Sequence, residues 1–150
     1  MRIIVDYQNI NQKHFRNPYP LPRIFDIIHK LEGFQYATTL DLTMGYYSIE
    51  LLPKSCNLTT IVTEFGKFRY NRAQMVMCDS GEIFQAKLDK ILSDIKGFKI
   101  NIEYIIIFAK GGLSQHIEQL RVIVYRLRGP GLQSNAPKCS FGLKFIPYLY

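Results

Sequence analysis

Residues 35–52 read QYATTLDLTMGYYSIELL. Gln35 to Leu42 surround one carboxylate, Asp41, with apolar and β-branched side chains, which predicts a buried strand ending in an acid. Thr43-Met44-Gly45 supplies a turn, and residues 46–52 are expected to run on as a second strand. Taken alone, Asp41 is a turn-capping residue and Tyr46 and Tyr47 are core aromatics, because Asp bonds readily to turn backbone. The segments on either side decide between that reading and a functional one.

Upstream, residues 2–5 (RIIV) read as a short buried strand and residues 7–21 as a polar, proline-bearing extended connector. Pro22 suits the first turn of a helix whose inner face is Ile24, Ile27, Ile28 and Leu31, and Gly33 stops it. Downstream, residues 58–63 and 67–71 form a hairpin around Phe65-Gly66. Ser80 is placed to cap a helix over residues 82–95, with Ile83, Phe84, Leu88, Ile91, Leu92 and Ile95 at helical spacing. Residues 98–109 predict a buried strand or hairpin. A helix over residues 114–128 follows, with Ile117, Leu120, Ile123, Val124 and Leu127 inward and Gly129-Pro130-Gly131 ending it. The tail, 139–149, reads as two short strands. Strands and helices alternate irregularly, so the class is α+β.

Composition bounds the function. The 150 residues carry a formal net charge of +7 and a pI near 9.4, a balance that suits a polyanion such as nucleic acid. The basic residues are dispersed, but Tyr46, Tyr47, Phe68 and Tyr70 lie among them and can stack on single-stranded bases. Cys56, Cys78 and Cys139 are odd in number and form no C-x-x-C pair, so neither a zinc site nor a disulfide framework is indicated. His14, His29 and His116 show no metal spacing and read as surface or helix residues. The N-terminus lacks the pattern of a signal peptide, and the longest apolar run, Tyr104 to Ala109, is too short to span a bilayer. An intracellular protein, cytoplasmic or nuclear and with no membrane partner, is expected. Oligomeric state is not legible.

Six segments carry a family resemblance: V-D-Y-Q-N-I-N at 5–11, Y-P-L-P-R-I at 19–24, L-E-G-F-Q-Y-A-T-T-L-D-L-T-M-G-Y-Y-S-I-E-L at 31–51, F-R-Y-N-R at 68–72, I-F-Q-A-K-L-D at 83–89 and N-A-P-K-C-S-F at 135–141. In that order and spacing the chain resembles the reverse transcriptases of gypsy-type LTR retrotransposons, RNA-directed DNA polymerases. The resemblance implies a partial right-hand polymerase fold. A palm antiparallel sheet would be backed by helices over about residues 36–52 and 81–150, with incomplete fingers over about 1–35 and 53–80 and no thumb. RNase H, integrase and protease segments are not matched. It also implies Mg²⁺-dependent nucleotidyl transfer on an RNA or DNA template-primer with deoxynucleotide triphosphates. Two ions held by acidic side chains clamp the attacking and leaving oxygens. On this resemblance Asp41 is the first metal carboxylate and Glu103 stands at the second. Lys138 matches the residue that protonates the leaving pyrophosphate, and Arg2, Leu42, Tyr46 and Met75 fall at the nucleotide. Tyr46 would crowd the sugar's 2′ position.

The departures are as informative. Where the family has Y-x-D-D, this chain has Asn101-Ile102-Glu103-Tyr104. Glu103 keeps the charge but shifts it by about an ångström, a misplacement that can cost roughly a hundredfold. Tyr104 supplies no anion at neutral pH, since a phenol titrates near ~10. Residues 73–85 read AQMVMCDSGEIFQ, with Gln74, Val76, Asp79 and Gly81 replacing the family's proline, glycine, asparagine and proline. A glycine in such a loop often serves positive φ or close approach, which Val76 would not tolerate. Gln8 and Tyr150 replace a usual arginine and glycine. The expectation is therefore a reverse-transcriptase-derived domain with a broken metal site and no polymerase activity. The alternatives are a non-catalytic nucleic-acid-binding module or an active segment of a larger polyprotein. Ancestry of this kind requires Asp41 and Glu103 at one end of the sheet, with carboxylates within roughly 8 Å, close enough to share a hydrated ion.

Overall fold

Ile105, Ile106 and Ile107 point alternately to the two faces of one strand and all three are buried, so the sheet that carries them is covered on both sides. That strand is β5 (Tyr104–Ala109) in a computed structural model that describes residues 5–16 and 18–146. β5 pairs antiparallel with β1 (Tyr36–Thr43) from Tyr36↔Ala109 to Asp41↔Tyr104. β4 (Phe98–Asn101) lies on its other edge, joined to it by a tight hairpin. The far edge of β1 is shared by β6 (Gln133–Ser134), against Leu42 and Thr43, and β7 (Ser140–Leu143), nearer the start of β1. A separate hairpin joins β2 (Ile61–Thr63) to β3 (Gly66–Phe68).

Two helices back one face. α4 (Ser80–Ile91) contributes Phe84 and Leu88 and α5 (Leu113–Arg128) contributes Ile123 and Leu127 to a core with Leu40, Leu42, Ile100, Ile105 and Ile107. On the opposite face, Ile27 of α2 (Ile24–Lys30) and Leu31 pack on Ile106 with Phe34 and Phe108, toward the end away from Asp41. Among the described residues, a cleft lies at the Asp41 end of that face. This is the α+β arrangement expected of a partial polymerase palm.

Several local expectations are corrected. The polar connector over residues 7–21 contains a short helix, α1 (Gln8–Lys13), and residues 46–52 are not a strand. A 3₁₀ turn (Gly45–Ser48) follows β1, and the chain then touches residues 71–73 through Leu51, Ile49 and an isolated Glu50↔Arg72 bridge before α3 (Pro53–Cys56). Ser80 does not cap α4: its hydroxyl donates to the Gln74 carbonyl at 2.5 Å, and Asp79 occupies the N-cap position. Ile117 and Val124 of α5 are 45% and 47% exposed, so its inner stripe is narrower than the periodicity suggested. Ile83 is likewise exposed. His116 does lie in a helix but is buried, its ring nitrogen Nε2 2.8 Å from the Thr38 hydroxyl. The tail holds one strand, β7, up to residue 146. Arg2, the strand expected at 2–5 and Tyr150 lie outside the described residues, Val5 excepted, which belongs to no element.

Candidate functional site

The open end of the sheet is built by three turns. The first follows β1. Met44 adopts φ 51° and Gly45 is buried directly beneath the Phe84 ring, where an added Cβ would come within 2.2 Å of Cζ. Only glycine fits there, and its approach lets Tyr46 lie 5.7 Å from the Phe84 ring, facing the open end. Lys87 holds the turn by donating to the Ser48 carbonyl at 2.7 Å.

The second turn is the β4–β5 hairpin. Its two loop residues are Ile102 and Glu103, and Ile102 takes φ 55°, a costly conformation for a β-branched side chain. Partial burial of Ile102 against the core offsets that strain. The tip is anchored from behind: buried Gln85 of α4 accepts the Ile102 N–H at 2.8 Å and donates its own amide to Asp89. The Leu42 N–H donates to the Glu103 carbonyl at 2.8 Å, which locks the hairpin to the end of β1.

The third turn, Ala136–Lys138, follows β6 and is tied to the same point, because the Asn135 N–H donates to the Asp41 carbonyl at 2.8 Å. Together the turns enclose a cleft of about 170 Å³, lined by Asp41, Leu42, Tyr46, Met75, Glu103 and Lys138 among others. Six of the seven residues assigned by resemblance are thus gathered in one place, and the seventh, Arg2, lies outside the described residues. Asp41 and Glu103 line the same cleft at one end of the sheet.

The electrostatics of the cleft centre on Asp41, which is only 6% exposed. Lys138 Nζ lies 3.8 Å from its Oδ2. Tyr104, directly opposite in the β-ladder, hydrogen-bonds to it, and that bond with the nearby carboxylate charge raises the phenol above its ordinary pKa. Burial, with Glu103 nearby, also raises Tyr46. Both tyrosines are neutral hydroxyls at physiological pH.

This donor set does not fit a pair of divalent ions. Two carboxylates face the cleft among the described residues, and the position across from Asp41 offers a phenol. A lysine already supplies positive charge beside Asp41. Two dications need acidic oxygens on both sides to offset their mutual repulsion.

The loop at 74–79 closes the cleft's remaining wall. Val76 does not stand in the left-handed region, so its replacement of glycine strains nothing there. Asn11 of α1 grips this loop, donating to the Val76 carbonyl at 2.9 Å and accepting the Cys78 N–H at 3.1 Å. His14 Nε2 lies 2.5 Å from Asp79 Oδ2. Asn11, Gln85 and Asn135 organise the site, yet sequence reasoning missed all three. Their partners are backbone groups distant in sequence, and no periodicity or motif chemistry reports them.

No family model matches the chain. It is 29% identical, over 99% of its length, to the retrovirus-related Pol polyprotein from transposon 297 of Drosophila melanogaster. The corresponding polyprotein from transposon gypsy is 27% identical over 99% of the chain, as is the enzymatic polyprotein of Cestrum yellow leaf curling virus. The chain spans 14% of the two transposon polyproteins and 23% of the viral one. Among solved structures, prototype foamy virus protease-reverse transcriptase superposes with a TM-score of 0.85 at 22% identity, covering 95% of this chain and 19% of that one. The foamy viral enzyme in complex with an RNA/DNA hybrid gives 0.84 at 21%, over 93% of this chain and 19% of the other. The sequence match along nearly the whole chain and the shared fold agree: this chain is a reverse-transcriptase-like domain, similar to a segment of retrotransposon and retroviral Pol polyproteins.

Proposed function

We propose that the chain is a reverse-transcriptase-derived domain that associates with nucleic acid but does not polymerise it. One observation carries the reading: Asp41, the first metal carboxylate of the family pattern, is engaged by Tyr104 and Lys138 instead of facing a second aspartate. In this reading residues 36–52 and 81–150 are palm-like and about 1–35 and 53–80 fingers-like. Leu42, Tyr46 and Met75 keep the shape of a nucleotide subsite whose metals are not held. Lys138 neutralises Asp41 instead of serving a leaving group, and productive use of deoxynucleotide triphosphates is not expected. Affinity for nucleic acid rests on the +7 net charge and would be independent of sequence.

Primer extension with the 150-residue chain tests it. No templated synthesis is expected in Mg²⁺ or Mn²⁺, while binding to an RNA/DNA hybrid falls linearly in log affinity with log salt. Joint Glu103→Asp and Tyr104→Asp replacement should tighten Mn²⁺ binding before any activity returns. Robust extension by the unmodified chain would sink the proposal, as would salt-independent binding. The share of the relatives' length that the chain spans favours a second reading, in which it is one segment of an active polyprotein. Extension only when the adjoining polyprotein sequence is supplied would establish that reading.

A further inference from the structure

Outside the cleft, three metal-ligating side chains of different types meet. His14 closes α1, and Cys78 and Asp79 end the loop that enters α4. One ligand atom from each, His14 nitrogen, Cys78 sulfur and an Asp79 oxygen, lies within 4.8 Å of the others. We propose that His14, Cys78 and Asp79 form a binding site for one zinc-class divalent ion, distinct from the Asp41 cleft.

The chemistry of the donor set selects the ion. Imidazole and thiolate are borderline and soft donors that favour zinc over magnesium, and three protein ligands leave a fourth tetrahedral position for water. Zinc bonds of about 2.0–2.3 Å place tetrahedral ligand atoms about 3.5 Å apart. The His14–Asp79 separation of 2.5 Å must therefore open by about an ångström. His14 can supply that movement, since its side chain is 45% exposed at the end of a six-residue helix.

The remaining two ligands are held in advance. Asn11 accepts the Cys78 N–H and donates to Val76, fixing the loop, and Asp79 is buried at the N-terminus of α4. Arg16, an exposed cation, approaches Cys78. An ion here would clip the end of α1 to a loop 65 residues further on, behind the wall of the cleft. The inference does not depend on whether the chain polymerises.

Cobalt(II) is the probe for the test, added to the whole chain with its cysteines reduced. One equivalent should produce a thiolate-to-cobalt charge-transfer band with the intense visible bands of a tetrahedral site, and zinc should displace it while magnesium does not. Cys78→Ser should abolish the charge-transfer band, with Cys139→Ser as the control that keeps it. His14→Ala and Asp79→Asn should each weaken binding by at least about tenfold, the loss typical of disturbing even a supporting partner. Zinc should also raise the melting temperature of the parent and not of Cys78→Ser. Absence of the charge-transfer band, its survival in Cys78→Ser, or equal affinity in His14→Ala would each overturn the site.

Discussion

Tyr104 and Ile105 are neighbours on β5 yet live in different environments. Ile105 faces α4 and α5, fully buried among Leu40, Ile107 and Leu88. Tyr104 lies on the other face, 46% exposed, across from Asp41. The same strand thus presents a packed face and a chemical face one residue apart. Sheet alternation makes this possible, and it lets residues on one face change without disturbing the packing of the other. Substitutions on the chemical face leave the packed face untouched.

Paired replacements on that strand give the largest contrast. Ile105→Ala should destabilise by about 2–5 kcal/mol, the range for truncating a fully enclosed aliphatic side chain. Tyr104→Phe should cost at most about 1 kcal/mol, because Tyr104 is half-exposed, so water can replace the lost donor, and Lys138 still faces Asp41. Denaturant melts of both variants check this. Equal losses would mean that the Tyr104–Asp41 bond is part of the core, and the separation of the two faces would fail.

The same division governs what the sequence could reveal. Periodicity located β5, α4 and α5, because each must bury an apolar face and the spacing of buried residues records it. Alternation misled at residues 46–52, where Tyr46 packs inward from a 3₁₀ turn and Ile49 from the residue that follows it, with Gly45 against Phe84. The stripe on α5 was overdrawn at Ile117 and Val124, since apolar residues on a helix flank need not be covered. In the cleft, residues with a family counterpart were legible through motif order, as Asp41 and Glu103 were. Gln85 and Asn11 were not, because backbone hydrogen bonds across 17 and 65 residues leave no local pattern. The meeting of His14 with Cys78 and Asp79 was invisible for the same reason.

A smaller effect separates the two strained turns of the chemical face. Met44 and Ile102 both take positive φ, but Ile102 is packed against the core while Met44 is 52% exposed. Met44→Gly should therefore stabilise the chain by about 0.5–1 kcal/mol: relief of the left-handed conformation exceeds the entropic cost of glycine. Ile102→Gly should gain less or lose, since the relief is offset by lost burial. Thermal melts that show no difference in sign or size between the two would mean that burial does not compensate the Ile102 turn.

The smallest effect is zero at neutral pH and appears only in acid, and it belongs to the packed face. His116 on α5 is buried there, with Nε2 against the Thr38 hydroxyl, and its other ring nitrogen has no hydrogen-bond partner among the described residues. Protonation would place a charge and an unmet N–H in that interior, and burial accordingly lowers the His116 pKa below its ordinary value. The folded state then binds a proton less readily than the unfolded chain. The unfolded histidine begins to protonate near pH ~6.5, and from there stability falls as pH drops toward the lower folded pKa, where the loss levels off. Above that window the neutral ring contributes its full packing. His116→Gln, which can still bond to Thr38 but does not titrate, should flatten the acid limb of the stability profile and leave neutral stability nearly unchanged. Carboxylates titrate alike in both proteins, so the difference between the two curves isolates His116. Parallel curves from neutral pH into acid would show that the His116 pocket opens to water before it charges, and the packed face would then be less sealed than its burial implies.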